Sequence, residues 1–266
     1  KTRTQENSMR ENRVKAILKE GKATIGSGIS LPDPFVAEVM GQVGFDFLII
    51  DLEHSPLTTS ELQTIFIALR DSQSTKIVRS PWNDPVWVKR ILDLGAEGII
   101  FPWIGSREEC EQAVASTKYP PVGIRGWGPR RAVRLSNDAG EYFAKANDNI
   151  LAFAQIENSG AVGNLDEILS TPGLDGIMIG PADLSASYGH LMDRDHQEVQ
   201  DAMNQVLEKC KEHRVPFGLF SGTLELAQYW IERGGQIATV GGDVGFMESA
   251  AAQARKDVDA LLSNGQ

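Results

Sequence analysis

The sequence predicts a single (β/α)8 barrel, a TIM-barrel fold of the α/β class. Three observations carry this. Apolar runs of strand length recur eight times, segments of helical period separate them, and no linker-like stretch divides the chain. With 266 residues, 41% of them hydrophobic, the chain can bury one large core, and such barrels run to about 250 residues as one domain.

The strand-length runs are residues 23–28, 45–51, 75–79, 98–102, 150–157, 176–180, 216–221 and 236–241. Several are almost continuously apolar, as parallel strands covered on both faces must be. Between them, Leu62, Ile65, Phe66 and Leu69 follow the i, i+3, i+4, i+7 spacing of a helix face. Cys110, Ala113, Val114 and Thr117 do the same, and the longest stripe is Val199, Ala202, Met203, Val206, Leu207 and Cys210. Gly95 and Gly234 stand where helices should end. After the last run, Ala251, Ala254, Val258 and Leu261 predict a helix that closes the barrel. The alternative fold is an open doubly wound sheet. Its first strand usually leads into G-x-G-x-x-G, whereas Gly26-Ser27-Gly28 runs into Ile29-Ser30-Leu31.

The barrel domain is expected over residues 13–266, after a polar tail over residues 1–12. One connection, from 102 to 150, is unusually long and contains a stretch rich in Pro, Gly and Arg from Tyr119 to Arg131. Long irregular connections in compact folds tend to be functional.

A net charge of −10 with no evident basic face argues against a nucleic-acid partner. Cys110 and Cys210 sit within helical apolar patterns and read as core residues rather than as a disulfide or metal pair. No run approaches the roughly 18 apolar residues of a membrane span, and residues 1–13 lack the apolar region of a signal peptide. A cytoplasmic location is the default expectation.

In such a barrel the chemistry gathers at the C-terminal strand ends. Those ends carry Asp51, Glu53 and His54, then Arg79, then Gln155 and Glu157, then Gly180-Pro181-Ala182-Asp183, and last Gly241-Gly242-Asp243. Glu157 and Asp183 come from neighbouring strands. Adjacent carboxylates repel unless a cation intervenes, either a divalent metal or an arginine. His54, the one histidine of four at a strand end, suits a general base or a histidine held by Asp51 or Glu53. His190, His196 and His213 fall in surface segments and read as solvated. Arg79 needs an anionic partner, which is either a substrate oxygen or a structural carboxylate, Asp51 or Glu53. The segment from Gly180 to Ser185 opens a helical turn whose N–H groups suit a carboxylate or phosphate. Gly241-Gly242-Asp243 suits a plain turn or a phosphate.

Taken in order, several segments resemble the HpcH/HpaI family of class II pyruvate aldolases. They are Asp51-Leu52-Glu53-His54, Val78-Arg79 with Trp82-Asn83-Asp84-Pro85, Ile91-Leu92-Asp93-Leu94-Gly95-Ala96, Tyr119-Pro120-Pro121-Val122-Gly123-Ile124-Arg125-Gly126, Gln155-Ile156-Glu157 and Asp175 to Ser185. The resemblance runs from about Gly26 to Val258. It implies that Glu157 and Asp183 hold a divalent metal, Mg²⁺ or Mn²⁺, with Co²⁺ and Zn²⁺ as alternatives. It implies that Gly180, Pro181, Ala182 and Asp183 meet the carboxylate of pyruvate and that Gln155 orients it. Arg79 would stabilise the enolate oxygen. His54 would act as acid and base, paired with an Asp93 contributed by a neighbouring subunit. The implied assembly is a homo-oligomer, by family habit a hexamer of the trimer-of-dimers type.

The implied reaction splits a 4-hydroxy-2-oxo acid into pyruvate and an aldehyde, or joins the two. No lysine stands at these strand ends, which disfavours Schiff-base chemistry. The chain departs from the family pattern in its first strand, in the basic loop Trp127 to Arg134, and in Leu219-Phe220-Ser221-Gly222. All three are expected on the acceptor side, where Arg130, Arg131 and Arg134 would favour a polyanionic acceptor. The other readings are a related enolate lyase, such as an oxaloacetate decarboxylase or a carbon–carbon bond-forming synthase, and a non-catalytic barrel that binds a 2-oxo acid.

Overall fold

Eight parallel strands pair in chain order and close on themselves: β1 (Thr24–Ile29), β2 (Phe47–Asp51), β3 (Thr75–Arg79), β4 (Gly98–Phe101), β5 (Leu151–Ile156), β6 (Gly176–Ile179), β7 (Phe217–Leu219) and β8 (Ile237–Gly242), with β8 bonded back to β1. This is a computed structural model, which describes residues 9–135 and 138–263. The helices are α1 (Arg13–Lys19), α2 (Pro34–Val43), α3 (Thr59–Ala68), α4 (Pro85–Leu94), α5 (Arg107–Thr117), α6 (Ala139–Asn149), α7 (Ser159–Gly163), α8 (Leu165–Leu169), α9 (Pro181–Ser187), α10 (Gln197–His213), α11 (Leu224–Glu232) and α12 (Asp243–Ser263). Every expected strand is present. None of the described helices is long and apolar enough to cross a membrane.

Local chemistry explains the helix ends. Asp33 and Asp84 accept from backbone N–H groups ahead of Pro34 and Pro85, and α2 and α4 stop at Gly44 and Gly95 in the left-handed region. Thr58 and Glu61 form a capping box at α3. The helical stripes read from sequence on α3, α5 and α10 are buried, including both cysteines.

The core has two layers. One lies between strands and helices. The other fills the barrel with Phe47, Ile49, Ile77, Ile100, Leu151, Phe153, Met178 and Ile237, sealed from below by Val14 and Leu18 of α1. Gly26 is required here, because a Cβ on it would lie 2.1 Å from the Phe47 ring. Strand side chains alternate between faces. The inward set of β2 therefore continues from Phe47 and Ile49 to Asp51, that of β3 from Ile77 to Arg79, and that of β5 from Leu151 and Phe153 to Gln155. Alternation thus aims polar groups into the barrel's C-terminal mouth.

Two expectations change. The helix after β8 forms, but Ala251, Ala254, Val258 and Leu261 are exposed, so α12 does not close the barrel within one chain. The basic loop does not reach the mouth of its own chain. It follows α5, so it starts at the barrel's N-terminal face, where Arg131 donates to Phe66 O and Leu94 O at the ends of α3 and α4. At the Gly241-Gly242-Asp243 turn the carboxylate of Asp243 accepts from Ser30 N, Leu31 N and the Ser30 hydroxyl. Of the expected polar tail, residues 1–8 lie outside the described residues. Arg10 and Asn12 are bonded to the N-terminal face of the barrel.

Candidate active site

The mouth is built around an excess of carboxylates. Asp51 and Arg79 are register partners on β2 and β3. The Arg79 Nε and Nη2 donate to the two Asp51 oxygens at 2.9 and 2.7 Å, and Nη1 lies 3.2 Å from Glu53 Oε2. Phe220, beyond the end of β7, covers the guanidinium face at 5.1 Å. Arg79 is therefore anchored structurally while staying at the mouth. Burial opposes both charges of the pair, but the ion pair prevails: the Asp51 carboxyl is held below its ordinary range and the Arg79 guanidinium above its own.

Glu157 is fully buried just past β5. Its Oε1 accepts from the backbone N–H of Trp103 at 2.6 Å, and its Oε2 accepts from Gln155 Nε2. Burial pushes its pKa up to about 7, against the Gln155 and Trp103 hydrogen bonds and with the charges of Glu53 and Asp183. Burial likewise raises Glu53 to about 6, where Arg79 opposes and Asp51 and Asp183 add to the rise. Glu53, Glu157 and Asp183 thus share one mouth, where the guanidinium of Arg79 is divided between Asp51 and Glu53. Gln155 Oε1 is buried without a hydrogen-bond partner, and Glu53 Oε2 has the Arg79 ion pair in place of a hydrogen bond. An excess of carboxylates over that one shared guanidinium, beside an amide oxygen lacking a donor, fits a hard divalent cation.

Gly180 is needed for this packing, because a Cβ there would lie 2.8 Å from Glu157 Oε2. Pro181 takes the first position of α9, and no side chain caps that helix, so its first N–H groups, near Ala182 and Asp183, are not claimed by a cap. A cavity of about 140 Å³ runs from Arg79 and Asp51 to Gly28, Ser30, Thr239 and Phe220.

The structure brings Arg79, Gln155, Glu157, Gly180 and Asp183 together. His54 stands at the rim with its side chain 60% exposed and its ring 3.8 Å from Glu53. Only its backbone N–H bonds to Asp51, so it is not a buried, fixed histidine. Asp93 does not join the mouth of its own chain. It lies in the last turn of α4, at the opposite end of the barrel, and pairs with the buried Arg125 at 2.9 Å.

Sequence reasoning missed two contributors. Glu53 was placed at a strand end but given no part in the cation site, although it lies two residues beyond Asp51 and continues the inward alternation. Trp103 is held at φ 56 and carries an N–H that binds Glu157, which nothing in its neighbours signals. The histidines read as solvated are also engaged. His190 and His196 stack with centroids 3.4 Å apart, and His190 Nε2 is 2.9 Å from Glu198. With ligand atoms within 4.8 Å of one another, these three form a cluster consistent with divalent-metal binding.

Known proteins match this chain along most of its length. A model described as HpcH/HpaI aldolase/citrate lyase matches residues 25–250. A 5-keto-4-deoxy-D-glucarate aldolase of Escherichia coli O6:H1 is 39% identical over 244 residues, covering 92% of this chain and 95% of the relative. The crystal structure of an HpcH/HpaI aldolase/citrate lyase family protein from Burkholderia cenocepacia J2315 superposes with a TM-score of 0.89 at 33% identity, over 93% of this chain and 99% of that one. The citrate synthase SbnG superposes with a TM-score of 0.83 at 28% identity, over 94% of this chain and 100% of that one.

Proposed function

The chain belongs to the HpcH/HpaI aldolase/citrate lyase family and is a carbon–carbon lyase of its divalent-metal-dependent aldolase class; from that premise we infer that it cleaves 4-hydroxy-2-oxo acids to pyruvate and an aldehyde, in the manner of the 5-keto-4-deoxy-D-glucarate aldolases it resembles. The observation that supports this reading is the convergence of Glu53, Glu157 and Asp183 on a mouth whose guanidinium, Arg79, is divided between Asp51 and Glu53 and leaves Glu157 and Asp183 without a paired cation among the described residues.

In this proposal Glu157 and Asp183 hold the cation, with Glu53 beside them. A divalent cation there supplies positive charge to the oxygens of a 2-oxo acid and to the negative charge that develops during cleavage. The remaining roles belong to the chain itself. The uncapped start of α9 at Pro181, Ala182 and Asp183 receives the substrate carboxylate, while Gly180 keeps the approach to Glu157 open. Gln155 positions the pyruvate unit through the amide already bonded to Glu157. His54 takes the proton from the C4 hydroxyl. The C3–C4 bond breaks, the aldehyde departs, and the electron pair moves onto the enolate oxygen, which faces the N–H groups of Arg79 not used by Asp51. Protonation at C3 then gives pyruvate.

The active form in this proposal is a homo-oligomer, a hexamer by the same resemblance, in which Asp93 of one subunit reaches His54 of the next. The exposed apolar side chains of α12, and the position of Asp93 at the far end from its own chain's His54, support that reading. A cytoplasmic location, and a barrel domain beginning near residue 13, complete it.

The test is pyruvate release from a 4-hydroxy-2-oxo acid with and without EDTA. Metal-dependent release that Glu157→Ala abolishes supports the reading, and full activity in excess EDTA overturns it. A second reading, a bond-forming synthase, is favoured by the likeness to SbnG and by the clamp of Phe220 on Arg79 in a part of the chain that departs from the family pattern. Pyruvate or oxaloacetate consumption with a panel of acceptors separates the two.

A further inference from the structure

A charge imbalance of the opposite sign lies at the other end of the barrel. A cavity of about 160 Å³ is lined by Arg10, Arg70, Lys76 and Arg131, and Glu97 is the one acid among the described residues that line it. Its place on the N-terminal face follows from its other walls, which are Phe66 near the end of α3, Gly95 and Ala96 after α4, and Ile150 before β5. It shares no residue with the mouth.

Glu97 is already shared, lying 3.1 Å from Lys76 and 3.3 Å from Arg10. Among the described residues, neither Arg70 nor Arg131 makes an ion pair with a carboxylate. Arg131 spends one N–H of each terminal nitrogen on the carbonyls of Leu94 and Phe66, and a guanidinium has five such donors. Lys76 is only 8% exposed. Burial drives its ammonium pKa down, Glu97 opposes this, and Arg10 and Arg131 push the same way as burial. Arg131 is lowered by burial and by the charge of Arg70. These cations are close enough to repel one another in a partly desolvated space, and one carboxylate does not neutralise them. Oxyanions bind arginine forks and lysine ammonium groups with short, charge-assisted hydrogen bonds. Phe66 and Ile150 add apolar wall beside these groups.

We propose that this cavity is a binding site for a small dianionic oxyanion, held by Arg70, Arg131, Lys76 and Arg10. The ligand chemistry is a phosphate or a short dicarboxylate. The residues that would hold the ligand include none from the mouth of the same chain.

The experiment titrates inorganic phosphate and, separately, succinate into the full chain in excess EDTA, by calorimetry and by thermal melting. Saturable binding of at least one, with a raised melting temperature, is expected, and whichever binds identifies the source. Arg70 is exposed, so Arg70→Gln should fold as the parent does and weaken binding about tenfold or more. Arg131→Gln should weaken it as well. Absence of saturable binding by both probes, or equal affinity in the parent and both variants, would overturn the proposal.

Discussion

Asp51 grips Arg79 through two parallel hydrogen bonds at the facing ends of β2 and β3, so the guanidinium proposed to meet the substrate is fixed before any substrate arrives. Such pre-set donors stabilise developing charge without reorganising during the reaction. Arg79→Met should therefore lower kcat by about 10²–10³ while leaving metal affinity nearly unchanged. Asp51→Asn should lower kcat less, and Arg79→Lys should rescue poorly, because one ammonium cannot make a bidentate pair. Steady-state kinetics with independent metal titration checks all three.

The raised carboxyls of Glu53 and Glu157 set a pH dependence. A carboxyl with a higher pKa in the folded state than in the unfolded state binds more protons when folded, so stability falls as pH rises between the two values. For the metal-free protein this window runs from about 4.5 to about 6 for Glu53 and to about 7 for Glu157. The loss across it should be roughly 3 kcal/mol from Glu157, with Glu53 adding a smaller part because solvent screens it more. A divalent cation should abolish the loss, and its affinity should rise with pH through the same window. Melting curves in EDTA and in saturating Mn²⁺ at several pH values measure both effects.

Gly180→Ala tests the closeness of β6 to Glu157. The added methyl would sit 2.8 Å from Glu157 Oε2 and displace that carboxylate. Metal affinity should fall about tenfold or more, with a stability change of no more than roughly 1–3 kcal/mol. An unchanged metal affinity would contradict the placement of Glu157 in the cation site.

Removing residues 246–266 should change assembly rather than folding. Phe246, Met247, Val258, Leu261 and Leu262 are exposed on α12, while Asp243, which the cut spares, is buried. Sedimentation should show the parent as an oligomer and the shortened chain as a smaller species. Activity should fall with assembly if Asp93 must reach His54 across subunits.

The barrel was legible in the sequence because buried parallel strands are apolar on both faces, so each run from 75–79 to 236–241 stood out without alternation. Arg79, Gln155, Glu157 and Asp183 were legible because each ends a strand or begins the segment after one. What stayed hidden depended on which end of the barrel a segment occupies and on contacts between distant segments. Arg131 lies in a conspicuous basic loop, but a loop after a helix returns to the N-terminal face. His190 and His196 looked like surface residues, yet a turn brings their rings together. Helical spacing on α12 identifies an apolar stripe but does not say which chain covers it. Asp93 looked like an ordinary helix residue, and only the fold shows it beside Arg125.

The bonds from Asp243 to Ser30 and Leu31 tie the last strand to the first across more than 200 residues of chain. A ribosome making this protein therefore holds an unfinished ring until β8 and Asp243 have emerged. Until then β1 and the most recently made strand both present bare edges, open to pairing with other chains. Slower translation between β7 and Asp243 would prolong that interval, and crowding of nascent chains would turn it into aggregation.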